Sequence, residues 1–103
     1  MQEKYKTLSE LQEYYRGKAK ERGFDKESAR DTLLLMTEEL GELAKAIRKH
    51  SGMPTNDKSK IYAIEEELAD IQIYLLHLSN TLGLNLEEAF WKKEDENNKR
   101  VWK

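Results

Sequence analysis

The sequence predicts an all-α fold, an antiparallel four-helix bundle, and three observations carry that expectation. Apolar residues recur at alternating spacings of three and four over long stretches, as on the buried face of a helix. Helix-starting and helix-stopping residues fall between those stretches and divide the chain into four. No run alternates with the period of two that a half-buried strand requires.

Thr7-Leu8-Ser9-Glu10 matches a capping box, with Leu8, Leu11, Tyr15 and Ala19 continuing a helical stripe until Gly23 stops it. Asp25 and Ser28 are both competent caps for a second helix, whose stripe is Leu33, Met36, Leu40, Leu43 and Ile47. That helix ends near His50. The turn-forming run Ser51-Gly52-Met53-Pro54-Thr55-Asn56-Asp57, with the chain's only proline, suits an antiparallel connection. A third helix carries Ile64, Leu68, Ile71, Leu75, Leu78 and Leu82, and Gly83 is placed to end it. Asn85-Leu86-Glu87-Glu88 is a second start of the capping-box kind, opening a last helix through Phe90 and Trp91 to Arg100.

A chain of 103 residues is expected to form one domain over 1–103, with a core that is sufficient but not generous. Hydrophobic residues make up 38% and charged residues 37%, so association into a homo-dimer or homo-tetramer is expected to add burial. The net charge of -2 leaves no positive excess to hold a polynucleotide backbone. The absence of cysteine excludes a disulfide framework, a thiolate metal site and a thiol nucleophile. No apolar run follows Met1-Gln2-Glu3-Lys4 and none reaches membrane-spanning length, so the expectation is a soluble, cytoplasmic protein without a membrane partner.

The chemistry lies in a string of carboxylates that occurs twice: Glu38-Glu39-Leu40-Gly41-Glu42-Leu43, then Glu66-Glu67-Leu68-Ala69-Asp70-Ile71. On helices, Glu39 and Glu42 are i,i+3 neighbours, and so are Glu67 and Asp70. Each acid precedes an aliphatic residue and therefore lines the edge of an apolar stripe. Packing the stripes together brings the acids together, and carboxylates at short range cannot all stay ionised unless a cation neutralises them. The pattern predicts a divalent metal. All-oxygen ligands favour a hard ion, Mg2+ first with Mn2+ as a substitute, and no Glu-x-x-His pair is present to build a di-iron site. Two copies are too few for a solenoid, so the duplication is read as two uses of one geometry. Gly41 and Ala69 either let a backbone or ligand approach or, for Gly41, form an ordinary helix glycine costing roughly 1 kcal/mol.

E-E-x-x-E followed by E-x-x-D on a second long helix resembles the motif of the MazG-like, all-α nucleoside triphosphate pyrophosphohydrolases. The resemblance extends through Leu82-Gly83-Leu84-Asn85-Leu86-Glu87-Glu88-Ala89 to Lys93, Asn97 and Arg100, and covers roughly residues 24 to 100. One departure is Val101-Trp102, where family members often carry a tyrosine just after the arginine. The resemblance implies that Glu39, Glu42, Glu67 and Asp70 ligate the metal, with Glu38 the neighbouring acid able to orient or deprotonate water. It implies hydrolysis of a (d)NTP substrate between the α and β phosphates, giving monophosphate and pyrophosphate, in nucleotide-pool house-cleaning. Lys93, Asn97 and Arg100 share one helix face and can meet phosphate oxygens together; the alternative is a solvated basic patch. Phe24 either encloses the base, as in the family, or plugs the core. Tyr74 and Trp91 are assigned to core or interface, and His50 and His77 receive no catalytic role. The same acids would also serve a nucleotide- or metal-binding module without turnover, or form the solvated edge of a helical interaction protein.

Overall fold

A computed structural model describes residues 6–51 and 58–100, with side chains over that range except for 58–62. Four helices make up its regular structure: α1 (Leu8–Arg22), α2 (Ala29–Ser51), α3 (Lys58–Thr81) and α4 (Leu86–Asn98). The proline-containing connection over 52–57 and the Val101-Trp102 departure lie outside the described residues.

The helix boundaries have local causes. Thr7 and Glu10 form the full capping box, the Thr7 N–H donating to Glu10 Oε1 at 2.8 Å and the Glu10 N–H to Thr7 Oγ1 at 3.1 Å. Of the two competent caps for α2, Ser28 serves, accepting from the Asp31 N–H at 3.1 Å. α1 ends at Gly23 with φ 82°, and the Phe24 N–H returns to the Ala19 carbonyl at 2.7 Å. Gly83, with φ 71°, closes α3 by the same motif, the Leu84 N–H reaching the Ser79 carbonyl at 2.9 Å. Both turns need left-handed backbone, which glycine adopts without a Cβ clash. The start of α4 differs from a full capping box. Asn85 accepts from the Glu88 N–H at 2.8 Å, but Glu87 reaches across to accept from the Ser9 N–H at 2.8 Å, pinning α4 to the start of α1.

The helices pack as an open series in which α2 lies along α3, α3 along α1, and α1 against α4. Tyr15, Ala19 and Leu76 are buried at the α1–α3 contact, together with the polar Gln12, His77 and Ser79. Gln12 is a clamp. Its Nε2 donates to Asn80 Oδ1 at 3.0 Å and to the Leu84 carbonyl at 2.6 Å, and its Oε1 accepts from the Leu86 N–H at 2.9 Å. One amide thereby ties α1 to the turn that joins α3 and α4.

The stripes of α2 and α3 are less covered than their periodicity implies. Leu33, Leu40 and Leu68 are each more than half exposed, because α2 has α3 as its one extensive neighbour among the described residues. The radius of gyration is 16.4 Å, against about 13 Å for a compact domain of this length. The accessible surface is 8412 Å2, against about 6,100 Å2 for a compact monomer of this mass. No described helix is long and apolar enough to cross a membrane.

Candidate metal centre

The α2–α3 pairing brings Glu39 of α2 opposite Glu67 and Asp70 of α3. One carboxylate oxygen from each lies within 4.8 Å of the others. The i,i+3 spacing sets Glu67 and Asp70 on one face of α3, and the long contact with α2 supplies the third acid. Glu39 and Glu67 are half-buried and Asp70 is exposed, so the trio sits at the rim of the interface with one side open.

Glu67 is the acid on which the neighbouring charges act. Burial raises its pKa first, followed by the charges of Glu39 and Asp70, a hydrogen bond shared with Glu39, and the charge of Glu42. Its Oε2 is buried without a hydrogen-bond partner. A trio of mutually repelling carboxylates with one buried oxygen left over fits a hard divalent cation, whose charge would reverse the repulsion and use the spare lone pairs.

Two cavities flank the trio. One, of about 300 Å3, is lined by Glu42, Glu66 and Glu67 and by Lys45 and Lys49. The other, of about 390 Å3, shares Asp70 and is lined by Phe24, Tyr74, Arg22, Glu27 and His77. Both are on the scale of small-molecule sites. Burial raises the pKa of Tyr74, and the charges of Glu39 and Asp70 raise it further.

The profile of the MazG nucleotide pyrophosphohydrolase domain matches residues 27–102. The chain belongs to the MazG family. It is also 35% identical over 88 residues to a Bacillus subtilis (strain 168) protein described as uncharacterized protein YpjD, an overlap of 82% of this chain and 77% of that protein. The MazG match takes in α2, α3 and α4 and therefore both carboxylate strings, while α1 precedes it.

Within this MazG domain, Glu39, Glu67 and Asp70 are brought together as the spacing anticipates. Glu42 is outside the group whose oxygens lie within 4.8 Å of one another, and it lines the lysine-bearing cavity together with Glu67. Glu38 is exposed on α2 next to Glu39. Phe24 forms part of the wall beside Asp70. Lys93, Asn97 and Arg100 line neither cavity: Lys93 pairs with Glu96 at 3.7 Å, and the Asn97 amide donates to Glu94 at 3.4 Å. Trp91 packs edge-on against Phe90 with centroids 5.0 Å apart and stays largely exposed. Gly41 has no heavy atom within 4 Å of where a Cβ would stand, so within the chain it is a helix glycine with open space beside it.

Four residues escape sequence reasoning. Lys45 and Lys49 follow Glu42 at i+3 and i+7, a shared face that was legible. Glu27 and His77 belong to different elements 50 positions apart, and only the fold joins them.

Proposed function

We propose that this MazG-family protein hydrolyses nucleoside triphosphates between the α and β phosphates, giving the monophosphate and pyrophosphate, with Mg2+ as its cofactor and Mn2+ as a substitute. The observation that carries the reading is the Glu39–Glu67–Asp70 trio set between a lysine-bearing cavity and an aromatic one. A nucleoside triphosphate has the same order of parts, with phosphates at one end and a ring at the other.

Glu39, Glu67 and Asp70, with Glu42 beside them, would hold the cation. When bound, it supplies positive charge to the triphosphate and makes a water acidic enough to attack near neutral pH. Glu38 orients that water and accepts its proton. The water oxygen bonds to the α phosphorus while the bridging α–β bond breaks, and pyrophosphate leaves with the electron pair. Lys45 and Lys49 offset phosphate charge from the cavity wall; a phosphate role for Lys93, Asn97 and Arg100 rests on the family resemblance, since they line neither cavity. Phe24 and Tyr74 enclose the base.

The large accessible surface and the uncovered stripe of α2 support assembly as a homo-dimer or homo-tetramer, which sedimentation equilibrium would register directly. The bond cleaved is tested by hydrolysis in 18O-water. Label in the monophosphate supports attack at the α phosphorus, and label in pyrophosphate overturns it. Glu39→Gln is expected to abolish metal-dependent turnover, whereas Lys93→Ala raises KM more than it lowers kcat.

A further inference from the structure

Within the aromatic cavity beside Asp70, one polar group is buried with nothing in hydrogen-bonding alignment. His77 is 5% exposed and neither ring nitrogen has a hydrogen-bond partner. Its ring is held in place by an edge contact with Tyr15, with centroids 5.7 Å apart at 77°. Its Nε2 stands 3.3 Å from Glu27 Oε1, close enough for attraction though out of line for a hydrogen bond. Both side chains line the cavity. The imidazole is buried without a partner, whereas the Glu27 carboxylate is 30% exposed and lines the cavity, where it can accept from the polar edge of a ligand.

The cavity is also suited to a flat ring. Phe24 and Tyr74 offer faces or edges for stacking, and Arg22 offers a guanidinium plane. What then distinguishes one base from another is the polar chemistry of the lining, where Glu27 stands. A carboxylate only accepts, so it requires N–H donors. Cytosine, adenine and guanine carry an exocyclic amino group, whereas uracil and thymine present an N–H flanked on both sides by carbonyl oxygens. A carboxylate approaching that N–H meets carbonyl lone pairs. The neighbouring imidazole, its Nε2 3.3 Å from Glu27 Oε1, limits where that carboxylate can stand.

We propose that Glu27, positioned by His77, is the base-reading group of this protein and selects nucleotides whose base bears an exocyclic amino group over those of uracil or thymine. The inference rests on the pyrophosphohydrolase reading for the nature of the ligand. It adds a selectivity that the carboxylate trio does not determine, from residues outside that trio.

The test compares two readouts on the full chain. The first is kcat/KM with Mg2+ for dCTP, dATP, dGTP, dUTP and dTTP. The second is calorimetric affinity for the α,β-methylene analogues of dCTP and dUTP, which bind without turnover. The wild-type protein is expected to favour the best amino-bearing nucleotide over dUTP and dTTP by tenfold or more in both readouts. Glu27→Gln, whose amide both donates and accepts, reduces that ratio at least fivefold. His77→Phe keeps the buried ring and removes both nitrogens, and it reduces the ratio in the same direction. Equal or better use of dUTP or dTTP by the wild-type protein overturns the proposal, as does a Glu27→Gln variant that weakens all five nucleotides alike. Base-selective binding without any pyrophosphate release leaves this inference standing and removes the catalytic reading; base-blind release does the reverse. Neither binding nor release removes both.

Discussion

Replacing Gln12 by leucine isolates the clamp that sets α1 against the end of α3 and the start of α4. The side chain makes three hydrogen bonds at a position only 4% exposed: to Asn80, to the Leu84 carbonyl and from the Leu86 N–H. Leucine has nearly the same volume and makes none of them. At a net value of about 1 kcal/mol per bond, the loss is about 3 kcal/mol. For a domain of this size that corresponds to a fall in Tm of about 12–24 °C. Urea or thermal denaturation followed by circular dichroism measures it, and amide exchange at Leu86 reports the freed N–H directly. A Gln12→Leu variant within 1 kcal/mol of the wild-type protein, with Leu86 still protected, would refute the clamp and place the helix junction's stability elsewhere.

Three further outcomes follow from single residues. Thr32 is fully buried and its hydroxyl has no partner, so Thr32→Val should stabilise the protein by about 1 kcal/mol in chemical denaturation; a loss of stability would mean that the hydroxyl is in use. Gly41 has open space where a Cβ would go, so Gly41→Ala should add about 0.5–1 kcal/mol through helix propensity, and a loss of activity would show that a ligand or second subunit approaches there. Because the pKa of Glu67 is raised in the folded protein, its contribution in chelator is fully present below the ordinary carboxylate value of 4.5 and is lost as pH rises through the folded value. Glu67→Gln should therefore flatten the fall in Tm above pH 4.5 seen in chelator, and an unchanged slope would disconnect that carboxyl from the charge cluster.

Local signals were readable wherever they were self-contained. Thr7 with Glu10, Ser28, Gly23 and Gly83 stand where caps and stops were expected, because each acts on backbone groups within a few residues. The pairing of Glu39 with Glu67 and Asp70 was legible for a related reason: the repeated spacing constrains both helices at once. Gln12 was not, since a glutamine inside an apolar stripe reads as a solvent-facing residue until the Leu84–Leu86 turn is placed against it. Glu42, three positions on from Glu39, lines the lysine-bearing cavity, which Glu67 of the trio also lines. The stripe Leu33-Leu40-Ile47 carries a strong periodicity, yet periodicity says that a face is to be covered and not that this chain covers it. Glu27 and His77 had no sequence signal, being ordinary residues whose meaning comes from a shared cavity.

Hydrolysis is expected to depend on a cation held by the carboxylate trio. The most direct measurement is pyrophosphate release from a panel of nucleoside triphosphates, by the wild-type protein and Glu67→Gln, each in Mg2+ and in chelator. Release is expected from the wild-type protein only in Mg2+, with stoichiometric monophosphate, and is expected to fall at least a hundredfold in the variant. Release that persists in chelator, or that survives in Glu67→Gln, would contradict that dependence.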